Sequence, residues 1–383
     1  YNFQQPHAPR MLRMPPGRGV ELERDMAQLV ADLHDAIPAA FDSDEYRTRS
    51  QAIEDELGEQ REQALKEVQG HAEEKNISLI RTPTGFTLAP VRDGEVLDPG
   101  EFKKLPDDER KHIERDTENL QEELLRVLQQ IPGWQKETRD RIGKLNREIA
   151  SGAVSHLIDS LRASYQDLPA IISYLDEVEK DVIENFRHFL RQEEEKHGLQ
   201  VFGIDVGQRD DEMQVDKRYQ VNAFITHENH DTAPVIYEDY PSYNNLIGRV
   251  EHRSELGALI TDFTMIRPGA LHRANGGYLI VDALKVLMQP FAWEGLKRVL
   301  QAGKIHIESL AQLMSLVSTV SLQPEPIPLD VKVILIGEPQ IYYLLSMYDP
   351  EFNELFKVAV DFDYRMDRTP ESQQLYARLI GSL

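Results

Sequence analysis

The chain has 383 residues, 40% of them hydrophobic, and a formal net charge of -23, with a pI near 5.0. That length allows about two or three domains and at least one real core, while an acidic excess without a local basic patch opposes loose binding to nucleic acid phosphates. The sequence has no cysteine, which excludes disulfides, thiolate metal sites and Cys nucleophiles and suits a reducing cytoplasm; no apolar run approaches the ~18 residues of a membrane span, and no signal-peptide pattern is present.

Tyr1-Asn2-Phe3 reads as a strand already under way, and a start at Tyr rather than Met suggests a piece of a longer protein. Pro15-Pro16-Gly17 ends that segment. Val20, Leu22, Met26, Leu29, Val30, Leu33 and Ile37 then follow helical spacing up to Pro38. Ser43 or Asp44 is placed to cap the next helix, whose Ile53, Leu57, Ala64, Leu65 and Val68 form a narrow stripe among charged residues. Only one seam of such a helix is apolar, the pattern of a two-helix coiled coil.

Residues 77–81 and 86–91 are expected strands around Thr82-Pro83-Thr84-Gly85, with Asp93-Gly94 as a second turn. Helical stripes resume at Leu120, Leu124, Val127, Leu128 and Ile131, and again at Ile142, Leu145, Ile149, Leu157 and Leu161, punctuated by Pro132-Gly133 and Pro169. The simplest packing is an antiparallel helical hairpin or bundle with a small β-element near one tip. Its role is either that of a solvated arm without chemistry or that of a docking arm for substrate or partner.

From Val201 onward strands and helices alternate, as in an α/β domain. Residues 219–226 and 235–238 read as strands, with Asp210-Asp211-Glu212 in a loop before them. Residues 279–281 and 331–336 are continuous apolar runs, expected as central parallel strands buried on both faces. Between them residues 293–300 make an amphipathic helix, and residues 304–308 and 315–322 alternate like the two arms of a hairpin. Pro324, Pro326 and Pro328 force an extended approach to the last strand.

The richest motif is Gly276-Gly277-Tyr278-Leu279-Ile280-Val281-Asp282, a buried-strand pattern closed by one carboxylate. A P-loop ATPase presents its magnesium-coordinating Asp in this way, whereas the plainer reading of Asp282 is a strand-end carboxylate or helix N-cap. The next residue is Ala283, where a working ATPase carries a Glu to orient water, and the chain contains no Gly-Lys-Ser/Thr loop to cradle phosphates.

Asn245-Leu246-Ile247-Gly248-Arg249-Val250, then Pro268-Gly269-Ala270-Leu271-His272-Arg273-Ala274-Asn275 leading into the glycine-led strand, resembles the ATPase module of Lon-type ATP-dependent proteases. The branch it resembles most includes archaeal membrane-bound Lon and bacterial Lon homologues. The likeness continues through Glu325-Pro326-Ile327-Pro328-Leu329-Asp330, Val333-Ile334-Leu335-Ile336-Gly337 and Thr369-Pro370-Glu371, covering roughly the last 150 residues well and the front of the chain weakly.

The resemblance implies Mg²⁺ held through its water shell by Asp282, a first sensor at or beside Glu338, and an arginine finger near residues 349–357, where Lys357 is at best a partial substitute because it lacks the bidentate fork. With Ala283 in place of the catalytic Glu, it implies poor hydrolysis. It also implies a pore residue among Phe263-Thr264-Met265-Ile266. Phe263 and Met265 then grip a translocated polypeptide, or Phe263 and Ile266 simply fill the core. The residues from 304 to 322 fall where the family has a second pore-facing insert. The Ser-Lys dyad of Lon chemistry belongs to a separate domain after the lid, and the chain stops in what the resemblance implies is the first lid helix.

Two other candidates carry less. His227 and His230 with Glu228 and Asp231 read as a polar surface loop rather than a zinc site, and Ser318 and Ser321 sit in an alternating strand.

The expected fold is therefore α/β: an AAA+-like P-loop NTPase core with a parallel sheet and a long α-helical coiled-coil insertion carrying a small β-hairpin. The expected divisions are 1–19 for the first strand region, 20–200 for the helical insertion, 201–365 for the core and 366–383 for the start of the lid. The expected function is the ATPase module of a cytoplasmic Lon-like serine protease, handling polypeptide substrates as a homo-oligomer, a hexamer by family analogy, without nucleic acid or membrane. The resemblance leaves room for ATP and Mg²⁺ in the full-length protein, and neither is expected as a tightly held cofactor of this chain. The alternatives are a non-enzymatic scaffold that binds partners through the helical arm, and an active ATP-driven unfoldase with its phosphate loop upstream.

Overall fold

The computed structural model describes residues 1–82, 85–92, 95–97, 102, 106–190, 216–227, 232–255, 258–308, 322–363 and 365–382. The chain forms two compact units, Arg24–Gln220 and the combination of Tyr1–Glu23 with Val221–Leu383.

The unit Arg24–Gln220 is helical. Helix α1 (Arg18–Phe41) enters it and buries Met26, Leu29, Leu33 and Ile37. The helix does not stop at Pro38. Pro38 falls in its last turn, where its missing N–H costs one bond only, and Phe41 stacks on Phe186 at 5.0 Å to hold that turn. Val20, expected on the apolar stripe, is exposed. Ser43 rather than Asp44 caps α2 (Asp44–Glu74), its side chain accepting from the Tyr46 N–H at 3.3 Å.

Strands β1 (Ile77–Thr82), β2 (Gly85–Arg92) and β3 (Glu95–Val96) form an antiparallel sheet at the positions expected. The register pairs Ile77 with Pro90 and Thr82 with Gly85; Pro83, Thr84, Asp93 and Gly94 of the expected turns lie outside the described residues.

Helix α3 (Asp107–Ser164) runs 58 residues without a break, so Pro132-Gly133 does not punctuate it. Pro132 lies on the exposed side, and the helix on both sides of it holds partners. Along α2 from Tyr46 and Arg49 through Glu56 and His71 to Lys75 just past its end, the partners on α3 run back from Asn146 and Glu148 through Arg141 and Glu123 to Asp116. The two helices are therefore antiparallel, joined by a ladder of polar contacts over a thin apolar seam that includes Val68, Ala72, Leu120 and Leu124. Helix α4 (Pro169–Glu184) closes the unit, burying Ile171, Tyr174, Leu175, Val178 and Val182.

The other unit is α/β. Its elements are β4 (Val235–Glu238), α5 (Tyr243–Ile247), β5 (Arg249–Val250), β6 (Arg253–Glu255), β7 (Ala258–Ile260), β8 (Ile266–Arg267), α6 (Ala270–Arg273), β9 (Tyr278–Asp282), α7 (Ala283–Met288), α8 (Ala292–Ala302), β10 (Lys304–Ile305), β11 (Ile327–Pro328), β12 (Lys332–Ile336), α9 (Pro339–Tyr348), α10 (Phe352–Leu355) and α11 (Pro370–Ser382). Strands β12, β9 and β4 make a parallel sheet in that order, with Val281 beside Leu335 on one side and Glu238 on the other.

One face of this sheet carries Ile236, Leu279, Val281, Val333 and Leu335 against a core that includes Tyr243, Leu246, Leu271, Val286 and Leu296. On the other face Val235, Tyr237, Tyr278, Ile334 and Ile336 are exposed. The expectation of strands buried on both faces is thus corrected: among the described residues, α5, α6, α7 and α8 contribute to a core on one side only.

Two further expectations change. Residues 1–3 form no strand, because Asn2 Oδ1 accepts from the Gln4 and Gln5 N–H groups at 3.1 and 3.0 Å and turns the chain. The run from 7 to 9 instead accepts from the 323–325 backbone, Gln323 N–H to His7 C=O at 2.8 Å and Glu325 N–H to Pro9 C=O at 3.0 Å. Residues 219–226 are not a strand: Tyr219 closes a turn on Asp216, and Asn222 turns its side-chain amide to the Phe263 and Ile266 carbonyls. Strand β10 pairs with β11; residues 309–321, which hold nearly all of the expected second hairpin arm with Ser318 and Ser321, lie outside the described residues, as do Asp210-Asp211-Glu212.

Candidate functional site at the carboxyl edge of the parallel sheet

The string from Gly269 to Gly277 seats the central strand. A Cβ on Gly269 would lie 2.3 Å from the Leu246 carbonyl oxygen, and one on Gly277 would lie 2.1 Å from that of Pro234, so both positions need glycine for backbone to approach backbone. Asn275 ties the strand's start to the β11–β12 connection, donating to the Pro328 carbonyl at 2.8 Å and accepting from the Asp330 N–H at 2.8 Å. His272 is fully buried. Its Nδ1 accepts from the Gly269 N–H at 3.2 Å, and burial pushes its imidazole down to about 4. The motif that reads as most specific in the sequence therefore acts by placing β9.

Asp282 ends β9, at the carboxyl edge of the middle strand, where open parallel sheets bind ligands. Its Oδ1 accepts from the Lys285 N–H at 2.9 Å, making it the N-cap of α7. The strand-end and N-cap alternatives weighed for this carboxylate are both realised. Ala283 is buried, and a Cβ on Gly337 would lie 3.2 Å from the Ala283 methyl; the ends of β9 and β12 touch there.

Glu338 follows at the N-cap position of α9, exposed and without a capping bond from its side chain. At the end of β4, Glu238 pairs with Arg273 at 3.0 Å and Asp239 with the Lys285 ammonium at 2.5 Å. That contact, a hydrogen bond first and charge attraction after desolvation, holds Lys285 above and Asp239 below its ordinary range. The edge is thus lined by Glu238, Asp239, Asp282 and Glu338. Lys285 and Asp239 escaped the sequence reading. The available signal was a Lys three residues after a strand-end Asp, and a second strand, β4, also ending in carboxylates.

Lys357 is not brought into this constellation: it is exposed in the segment after α10, and among the described residues no hydrogen bond or ion pair joins it to Asp282 or Glu338. The Asp349–Glu351 stretch, where a finger was expected, clamps a different cation. Lys297, buried on α8, meets Asp349 at 3.0 Å, Glu351 at 2.9 Å and Glu294 at 3.1 Å, while the Trp293 indole N–H donates to Asp349 at 2.7 Å. Burial works against the ammonium charge, yet the three carboxylates hold Lys297 above its usual range.

Phe263 is buried at 7% exposure, 5.8 Å from the Tyr1 ring and packed with Ile266 and Ile307. Its placement realises the core-filling alternative, and only Met265 of the two pore candidates keeps partial exposure. Of the His227 and His230 pair, His230 lies outside the described residues. Among the described residues no group of three or more His, Asp or Glu side chains is arranged to hold a metal ion, and no helix is long and apolar enough to cross a membrane.

A helix-rich chain with a small parallel sheet is consistent with an AAA-like domain. Residues 231–363 match the family described as LonB-like, AAA domain, and residues 1–29 match the Lon-like LonC helical domain. A relative from Escherichia coli (strain K12), named "Putative Lon protease homolog", is 33% identical over 90 residues, which are 23% of this chain and 14% of the relative. The matched stretch thus spans a small part of that relative's length. Together these matches make the chain similar to Lon-type proteins over residues 1–29 and 231–363.

Proposed function

We propose that this chain is the ATPase-type module of a Lon-type ATP-dependent protease, with a nucleotide site that has lost hydrolytic competence. It handles polypeptide substrates, within a ring that is a hexamer by family analogy, and passes them to a Ser-Lys peptidase domain. The observation that carries the reading is Ala283 directly after Asp282 at the end of the central strand.

The residues present do not fit a hydrolytic magnesium-nucleotide site. Asp282 is engaged in capping α7, Ala283 has no carboxylate to orient a water, and Glu338 would set a negative charge toward an anionic phosphate. Lys285, the cation beside Asp282, is drawn to Asp239. The family's grip on polypeptide requires exposed bulky side chains; Met265 offers partial exposure, whereas Phe263 is buried in this chain.

Calorimetry with ATP and Mg²⁺ on the full-length protein tests the proposal. The expected result is no turnover and no binding that depends on Asp282; a submillimolar, Asp282-dependent signal would overturn the degenerate site and favour an active unfoldase.

A further inference from the structure

In the helical unit, the small sheet and α3 enclose a groove of about 410 Å³ lined by Pro90, Leu97, Phe102, Glu114, Thr117 and Glu118. Pro90, Leu97 and Phe102 are half-buried and supply its apolar lining. The Thr117 hydroxyl is turned back onto its own helix, donating to the Ile113 carbonyl at 2.7 Å, so it offers no free donor. Among the described residues, the remaining polar groups of the lining are two carboxylates one helical turn apart on α3 (Asp107–Ser164). Among the described residues, Glu114 has only a 3.8 Å approach from Arg110 and Glu118 has no ion pair. Neighbouring Asp116, by contrast, is already engaged by Lys75 and His112.

An apolar cleft of this size matches the volume of sites that take a large side chain. Two carboxylates at its rim, in a chain of net charge -23, favour a cationic neighbour to that side chain. We propose that this groove docks an extended polypeptide segment in which a large apolar residue is flanked by Lys or Arg. The inference deepens the reading of the chain as a polypeptide-handling module and rests on it, since it names the substrate feature the arm selects. Exposed ion pairs contribute little affinity; the apolar side chain supplies most of the binding, and the two Glu supply selectivity and encounter rate.

The test is fluorescence anisotropy on the whole 383-residue chain with two labelled peptides that share a central Phe-Leu pair, one flanked by Arg and the other by Glu. The parent should bind the Arg-flanked peptide saturably and prefer it by about tenfold, a preference that shrinks at high salt. The double variant Glu114→Lys, Glu118→Lys should reverse the preference, and Phe102→Ser should weaken both peptides. Glu59→Lys, the same charge change at an exposed position of α2 (Asp44–Glu74), should change neither. Circular dichroism of each variant separates lost binding from lost folding, and the reversed preference of the double variant cannot arise from unfolding. If all variants bind both peptides as the parent does, or if the parent binds neither, the groove assignment is overturned. Binding of a denatured protein by the parent, measured alongside, tests the wider polypeptide-handling reading separately.

Discussion

The Lys285 backbone N–H donates to Asp282 Oδ1 at 2.9 Å, so the carboxylate that closes the central strand also starts a helix. A residue in that position stabilises the fold whether or not it ever meets a cation. Asp282→Ala should cost about 1 kcal/mol through the lost cap, whereas Asp282→Ser should cost a few tenths. Urea denaturation of the two variants distinguishes them; equal losses would show that the capping bond is not the source of the effect.

His272 should make the α/β unit sensitive to acid. Its imidazole is held neutral, down to about 4 against 6.5 unfolded, by burial. A depressed value means the unfolded chain takes up the proton first, so stability is complete above pH 6.5 and falls as the pH drops from there toward 4. The full loss is about 3 kcal/mol. Denaturation midpoints at pH 7 and pH 5 should differ in the parent and converge in His272→Gln; an unchanged pH dependence in the variant would assign the effect elsewhere.

In the helical unit the Asp216 carboxylate meets His34 Nε2 at 3.0 Å and His188 Nε2 at 3.3 Å. Burial raises it, but the hydrogen bonds from His188 and His34, with their charge attraction, leave it well below the usual carboxylate range. Its contribution is therefore present above the ordinary Asp range and lost as pH falls below it. Asp216→Asn should destabilise by about 1–3 kcal/mol, with the deficit shrinking in strong acid. Thermal unfolding followed by helical circular dichroism would report it.

Removing the Lys297 ammonium leaves Asp349, Glu351 and Glu294 facing one another around a site where the lysine itself is buried. Lys297→Met should cost about 3 kcal/mol, as for other buried charges robbed of a partner, and should alter the emission of Trp293, whose indole shares Asp349. Lys297→Arg should recover part of the loss. A stable Lys297→Met protein with unchanged emission would refute the clamp.

Gly277 allows no side chain. Gly277→Ala would drive a methyl into the Pro234 carbonyl and separate β9 from β4, so the variant should lose cooperative unfolding of the α/β unit. A soluble variant with a parental melting profile would contradict that packing.

Local patterns fixed much of this architecture. Period-two alternation and turn residues gave β1 and β2; the apolar run 279–281 with its terminal carboxylate gave β9 and the start of α7; helical spacing gave α1, α2, α3 and α8. These signals are legible because each element's own periodicity decides which face is apolar. The positions of Pro38 and Pro132 misled, since a helix interrupts at proline only when its neighbours cannot hold it. Nothing local distinguishes the exposed Ile334 and Ile336 from the half-buried Val333 and Leu335, because burial of a strand face depends on what packs there. The same holds for the burial of Phe263, the clamp on Lys297 and the pairing of Lys285 with Asp239. Each depends on partners distant in the chain, tens of residues away in the last two cases, and only the folded backbone brings those partners within hydrogen-bond or van der Waals reach.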